Sequence, residues 1–267
     1  MQLHTLTHGE DSDPLVGFCH GLFGQGKNWT GIAKSLARDD APFQSLLIDL
    51  PNHGRSPWTD SIDLEAWADA VAETLTAALA GRQRTHLVGH SLGGKVAMLV
   101  ALRHPELVAS LVVVDMSPVE YALKRSFGQY IEGMQKLDLT ALQDRNSADA
   151  QLQDAVPDQT IRSFLMQNLR RTDDPAQPWR WMMNLALIDE QFERLGSWPA
   201  PDTTYDGPVL WVGGEHSDYI TADHTDAMTR LFPRVRSVTV KNAGHWVHSE
   251  QPEVFTALLE AFLARHR

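Results

Sequence analysis

The stretch Thr85–Lys95, THLVGHSLGGK, constrains the fold more than any other part of the chain. A short apolar run, Thr85 to Gly89, passes through Gly-His-Ser-Leu-Gly directly into a helix-forming run, Leu92 to Arg103. Strand, tight turn and helix in that order push the hydroxyl of Ser91 out at the top of a sheet. Gly89 and Gly93 flank the serine because side chains there would collide across the turn or with the neighbouring strand. The G-x-S-x-G pattern carries little weight alone. With Gly and Ser each near ~7 % of residues, about one chain in ten of this length holds it by accident. Chemistry at Ser91 requires a base, an acid and oxyanion donors elsewhere in the chain, in a matching order.

Strands and helices alternate around that stretch. Pro14 to Cys19 is a buried strand that stops at His20-Gly21-Leu22-Phe23-Gly24, a loop whose free N–H groups suit a developing oxyanion. A helix over Asn28 to Arg38 follows, with Asn28 as its cap, and then a strand over Phe43 to Leu50. In the turn after it, Asp49 and His53 read as turn chemistry rather than catalytic groups, because Asp, Asn and Gly beside Pro are what a tight post-strand turn uses. Leu64 to Ala80 is an amphipathic helix with Leu64, Trp67, Ala68, Val71, Leu75 and Leu79 on one stripe, ended by Gly81. Val108 to Val114 forms the strand after the Leu92 helix. The right-handed crossover makes it parallel to the Thr85 strand, so Asp115 and Ser91 share one edge of the sheet.

From Met116 to about Tyr205 the alternation stops and the pattern becomes helical, over Glu120 to Leu137, Leu139 to Arg145, Asp158 to Arg170 and Trp179 to Leu195. Helices inserted after the strand ends that carry the chemistry form a lid. The expected domains are an α/β core of residues 1–116 and 206–267 with a helical cap of residues 117–205. Aromatic and Met side chains of the cap pack mostly among themselves. Trp181 and Met182, with Phe23 and Trp246 from the core, are candidates for an apolar substrate pocket.

The sheet resumes at Gly207 to Val212, followed by Glu215-His216-Ser217-Asp218, a helix from Thr221 to Leu231 and a strand from Val235 to Val240. Asn242-Ala243-Gly244-His245-Trp246 comes next, and the amphipathic helix Pro252 to Ala264 closes the chain. The order Ser, then Asp, then His makes His245 the general base for Ser91. A serine hydroxyl is nearly unionised at neutral pH, so a neutral imidazole must take its proton, and a buried carboxylate must hold that imidazole. The backbone N–H groups of Leu92 and of Leu22, or Phe23, are the expected oxyanion donors. Both Asp115 and Asp218 follow strands and stand as candidate acids, with Ser217 as a hydrogen-bonding auxiliary.

Composition narrows the function classes. The chain has 267 residues and a formal net charge of -11, which opposes binding to a phosphate backbone, so nucleic acid is not an expected partner. Cys19 is the only cysteine, no spacing of Cys and His suggests a metal, and no cofactor is expected. No stretch approaches the ~20 apolar residues of a membrane span, and a cytoplasmic location is expected. Two further classes stay open: a carbon–carbon bond hydrolase or lyase on the same triad, which would use Arg125, Arg170 or Arg171 to hold a substrate carboxylate, and a ligand-sensing module with a degenerate site.

The succession HGLFG, DLPNHGRS, GHSLGGK, VDMSPVEY, WRWMMNL and NAGHWVH resembles the α/β-hydrolase superfamily over nearly the whole chain. Within it, the chain resembles the small bacterial YbfF-type esterases and their animal mitochondrial relatives. The resemblance implies a mostly parallel eight-stranded sheet with a helical cap, and a serine esterase acting on small acyl esters or acyl-CoA thioesters. It also implies an acid at Asp115. The superfamily's usual Gly-x-x-Asp turn after a later strand is displaced here, Ser217 standing where the Asp belongs and Asp218 one residue late.

Overall fold

The computed structural model describes residues 1–11, 13–38, 43–122, 125–199 and 201–267. The chain begins with β1 (Thr5–His8), β2 (Leu15–Cys19), α1 (Thr30–Leu36) and β3 (Gln44–Ile48). Next come α2 (Leu64–Leu79), β4 (Thr85–His90), α3 (Leu92–Arg103) and β5 (Val108–Val114). An insertion then carries α4 (Arg125–Lys136), α5 (Arg145–Leu152), α6 (Gln159–Met166), β6 (Leu169–Arg171), β7 (Trp179–Trp181), α7 (Leu185–Glu190) and α8 (Phe192–Gly196). It returns to β8 (Val209–Gly214), α9 (Thr225–Leu231), β9 (Val235–Val240), α10 (Val247–Glu250) and α11 (Pro252–Ala264).

The main sheet has the order β1-β3-β2-β4-β5-β8-β9, with β1 antiparallel and every other pairing parallel. Among the described residues it has seven strands, not the expected eight. The short link between β1 and β2 serves only to cross β3, which both strands flank, and leaves no length for another strand. Alternation along the strands feeds two cores. Leu87, Leu111 and Val113 face α2 and α3, whereas Val16, Phe18, Val88, Val112 and Val114 pack with Trp29, Ala33, Leu36, Phe255 and Leu259 on the opposite face. Helix α3 is buried from Leu92 to Leu102, which explains why its sequence lacks a polar face.

Local signals behave as their chemistry requires. Asp63 caps α2, its carboxylate accepting from the N–H groups of Glu65 and Ala66. The helix leaves through left-handed Ala80 as well as the expected Gly81. Asn28 sits inside a short 3-10 turn instead of capping α1, and its side-chain oxygen accepts from Gln25 N–H. In the insertion, a helix begins at Arg145 behind the Asp144 cap, not at Leu139. The helices expected to end at Arg170 and to begin at Trp179 instead yield β6 and β7, an antiparallel ribbon pairing Leu169 with Trp181 and Arg171 with Trp179. Leu169, Trp179 and Trp181 are buried on one face of the ribbon. Three residues of period-two alternation are too few to stand out against the helical spacing around them.

Candidate active site

Ser91 sits between β4 and α3 with φ at 52°, a left-handed turn that a non-glycine residue adopts only when its surroundings force it. Two glycines provide the room. A Cβ on Gly89 would strike the Gly93 carbonyl, and one on Gly93 would strike the carbonyls of Cys19 and His20 at the end of β2. The turn is anchored by Ser91 N–H donating to the Val114 carbonyl at 3.0 Å, so β5 fixes the height of the serine.

Asp115 leaves the end of β5, also left-handed at φ 50°, with its N–H on the Val212 carbonyl of β8 at 2.9 Å. Its carboxylate is fully buried but not unsatisfied. Oδ1 accepts from Gly214 N–H at 3.1 Å, and Oδ2 accepts from His245 Nδ1 at 2.7 Å and from the Ser217 hydroxyl. His245 Nε2 in turn lies 2.9 Å from Ser91 Oγ. One hydrogen-bonded line therefore runs from buried carboxylate through imidazole to hydroxyl, across three parallel strand ends. Asp218 is exposed, and the carboxylate that meets the imidazole is that of Asp115. Ser217, expected as a hydrogen-bonding auxiliary, donates its hydroxyl to Asp115 Oδ2.

Residues that sequence reasoning missed hold the imidazole in place. Tyr219 stacks on His245 with ring centroids 4.0 Å apart and an interplanar angle of 21°. Tyr121 donates to the Tyr219 carbonyl, bracing that ring's backbone from the start of the insertion. His90, the middle residue of Gly-His-Ser, lies 2.8 Å through Nε2 from the His245 carbonyl. Burial is the main force holding His90 well below the usual histidine pKa, so its ring is neutral and Nε2 donates. Nothing in their spacing marks the two tyrosines. His90 could have been suspected from its place in the elbow.

The Gly-rich loop after β2 approaches the same point. His20 is buried, lies 2.8 Å through Nδ1 from the Gly21 carbonyl and accepts Leu50 N–H on Nε2 at 3.0 Å. Burial lowers its pKa to about 4, so it is a neutral strut. Phe23 is left-handed at φ 62°, and its carbonyl accepts from Asn168 Nδ2 at 2.7 Å. Among the described residues no protein acceptor takes the N–H of Leu22, Phe23 or Leu92. That leaves N–H donors without a protein acceptor in the β2 loop and in the first turn of α3, and these residues line chambers that Ser91 also lines.

Two narrow apolar chambers, each about 20 Å³, meet at Ser91. One is lined by Phe23, His245, Trp246, Tyr130 and Phe164, the other by Leu92, Lys95, Met116, Tyr121, Leu195 and Tyr219. Leu22 and Phe127 belong to both and stand between them. Phe23 and Trp246 thus lie where the sequence suggested. Trp181 and Met182 do not: they line a separate cleft, and the Trp181 indole N–H donates to the Met134 carbonyl inside the insertion. The β6–β7 ribbon, unforeseen in the sequence, turns these residues away from the serine. Arg170 and Arg171 border that same cleft, and the Arg125 side chain falls outside the described residues.

Asp49 and His53 make their hydrogen bonds within and around the turn after β3. Asp49 accepts from the N–H groups of Gly26 and Arg55 at 2.7 and 2.8 Å, and His53 is fully buried with Nδ1 at 2.9 Å from the Pro51 carbonyl. Lys95 is buried beneath the second chamber, where its ammonium donates to the carbonyls of Gly196 and Ser197 at the end of α8. Burial brings its pKa down to about 7. Among the described residues no group of His, Cys, Asp and Glu could hold a metal, and no helix is long and apolar enough to cross a membrane.

Known proteins are similar to this chain over nearly its whole length. The mouse sn-1-specific diacylglycerol lipase ABHD11 is 35 % identical over 265 residues, covering 98 % of this chain and 84 % of that protein. Esterase YbfF of Escherichia coli is 26 % identical over 263 residues, covering 98 % of each chain. A solved marine microorganism esterase superposes with a TM-score of 0.91 at 32 % identity, over 98 % of this chain and 99 % of that one. The model of the alpha/beta hydrolase fold matches residues 14–252, and the chain therefore belongs to the α/β-hydrolase fold family.

Proposed function

We propose that the protein is a serine carboxylic ester hydrolase in which Ser91 is the nucleophile, His245 the general base and Asp115 the acid that orients it. The observation that carries this is the unbroken line from Ser91 Oγ to His245 Nε2 at 2.9 Å and from His245 Nδ1 to Asp115 Oδ2 at 2.7 Å. As Ser91 Oγ attacks the ester carbonyl carbon, its proton passes to His245 Nε2, and Asp115 stabilises the imidazolium. The N–H groups of Leu92 and Leu22 hold the oxyanion, with Phe23 N–H as the alternative donor on that loop. Collapse of the tetrahedral species expels the alcohol, which takes the proton from His245. Water, deprotonated by the same imidazole, then hydrolyses the acyl-enzyme. Thioesters fit the same sequence of steps. The relatives bearing the names esterase and lipase support this chemistry.

Proton delivery distinguishes the chambers. The leaving group must depart beside His245 Nε2, so the chamber lined by His245 and Trp246 takes the alcohol or thiol. The chamber over Leu92, Lys95 and Met116 takes the acyl chain. At about 20 Å³ each holds roughly one water, so residues 117–205 act as a lid that must shift for longer chains to enter. Arg170 and Arg171, two of the arginines that a carbon–carbon hydrolase would use, border the other cleft, which favours the ester reading. A single buried cysteine suits a reducing compartment, and we place the enzyme in the cytoplasm acting on small-molecule esters. The test is turnover of p-nitrophenyl esters of graded chain length, with fluorophosphonate labelling of Ser91. Expected are an adduct on Ser91 and a loss of about 10⁴-fold or more in Ser91→Ala. Ester turnover that survives Ser91→Ala would overturn the proposal.

A further inference from the structure

An open cleft of about 760 Å³ lies between the turn after β3 and the β6–β7 ribbon, bordered by Arg55, Arg170, Arg171 and Arg180. In a chain of net charge -11 this is an unusual concentration of one sign. Arg170 and Arg180 are direct cross-strand partners, an arrangement of like charges that destabilises a two-stranded ribbon. Lys27 and Arg145 stand behind them. Burial first, then Arg170, Arg145 and Arg55, hold the Lys27 ammonium below its ordinary pKa, with Asp49 opposing; burial and then Arg145 and Arg55 do the same to Arg170. Among the described residues none of these cations forms an ion pair with a carboxylate. Arg145 and Lys27 are occupied with backbone carbonyls, while the forks of Arg55, Arg171 and Arg180 make no hydrogen bond to protein among the described residues.

Trp58 lies at the same cleft and is 58 % exposed, a flat apolar face beside planar cations. Guanidinium forks match phosphate oxygens in pairs, and an exposed indole is a platform for a planar base. We propose that this cleft binds a phosphate-bearing anion, a diphosphate with a stacked nucleoside fitting its arginines and Trp58 best. The cleft is also wired to the oxyanion loop. Asn168, which immediately precedes β6, donates to the Phe23 carbonyl at 2.7 Å, accepts from Gln25 Nε2 at 2.6 Å and takes Met182 N–H on its carbonyl at 2.8 Å. An anion that draws β6 and β7 together therefore acts on the segment that carries Leu22 and Phe23.

The site stands apart from the ester reading and is tested without turnover. Calorimetric titration of the full chain with pyrophosphate and with ADP, at ionic strength matched by NaCl, should give saturable binding, tighter for ADP. Arg170→Gln with Arg180→Gln should weaken both at least tenfold and raise the anion-free Tm, since a like-charge pair is removed. Trp58→Ala should weaken ADP and leave pyrophosphate unchanged. If the phosphate belongs to a substrate's leaving group, pyrophosphate should raise KM for a phosphate-bearing ester and leave p-nitrophenyl butyrate untouched. If it is a free effector, both substrates should respond alike. Binding no tighter than chloride, or undiminished in the double variant, would overturn the proposal.

Discussion

At the residue scale the acid presented the sharpest choice, and the difference lies in burial. Asp115 has no exposure, and its two donors besides His245 are a backbone N–H, of Gly214, and the short side chain of Ser217; Asp218 faces solvent. A carboxylate in water cannot hold one imidazole tautomer against competition from the solvent. Asp115→Asn should lower kcat by about 10⁴-fold with little change in KM, because the amide would favour the wrong tautomer. Asp218→Asn should stay within a few-fold of wild type, and steady-state kinetics on one p-nitrophenyl ester separate the two. Ser217→Ala removes one donor from Asp115 Oδ2, and a several-fold fall in kcat is expected.

At the element scale the insertion decides what reaches the serine. Phe127 on α4 is the wall shared by both chambers, its ring centroid 6.2 Å from that of Phe23. Phe127→Ala should merge the chambers and shift kcat/KM toward longer acyl chains, read from a chain-length series. Lys95 fastens the far end of the insertion, binding the carbonyls after α8 from inside the core helix α3. Lys95→Met removes both bonds and leaves two carbonyls without their donor. At roughly 2 kcal/mol for such a loss, Tm should fall by ~4–8 °C in a chain of this size. The β6–β7 ribbon shows why this part of the molecule was less legible than the core. Its strands are three residues long, and their pairing depends on Trp179 and Trp181 finding the apolar interior of the insertion.

At the scale of the whole molecule, stability should depend on pH through buried neutral histidines. Burial pushes His20 and His86 down to about 4 and His53 to about 3, against an ordinary 6.5. The folded state then binds fewer protons than the unfolded chain, so this stability is fully present above pH ~6.5 and is lost as pH falls through 4 toward 3. Each such group contributes on the order of 3 kcal/mol at neutral pH. Tm should be level from pH 7 to 8 and drop steeply below pH ~5, with a shallower slope in His53→Phe. A flat profile to pH 4 would contradict it.

The sequence by itself determined the six parallel strands of the sheet but not the antiparallel edge strand β1, and it determined the elbow at Ser91 and the order of serine, aspartate and histidine. Those depend on local rules: apolar runs of strand length, glycines where a Cβ would strike backbone, and helices capped and stopped by their neighbours. Only the tertiary structure decided which aspartate meets His245, that Tyr219 stacks on it, and that Trp181 and Met182 turn toward a cleft of arginines. These outcomes depend on strand order and on how the insertion closes over the sheet. No local pattern encodes contacts between residues so far apart in the chain.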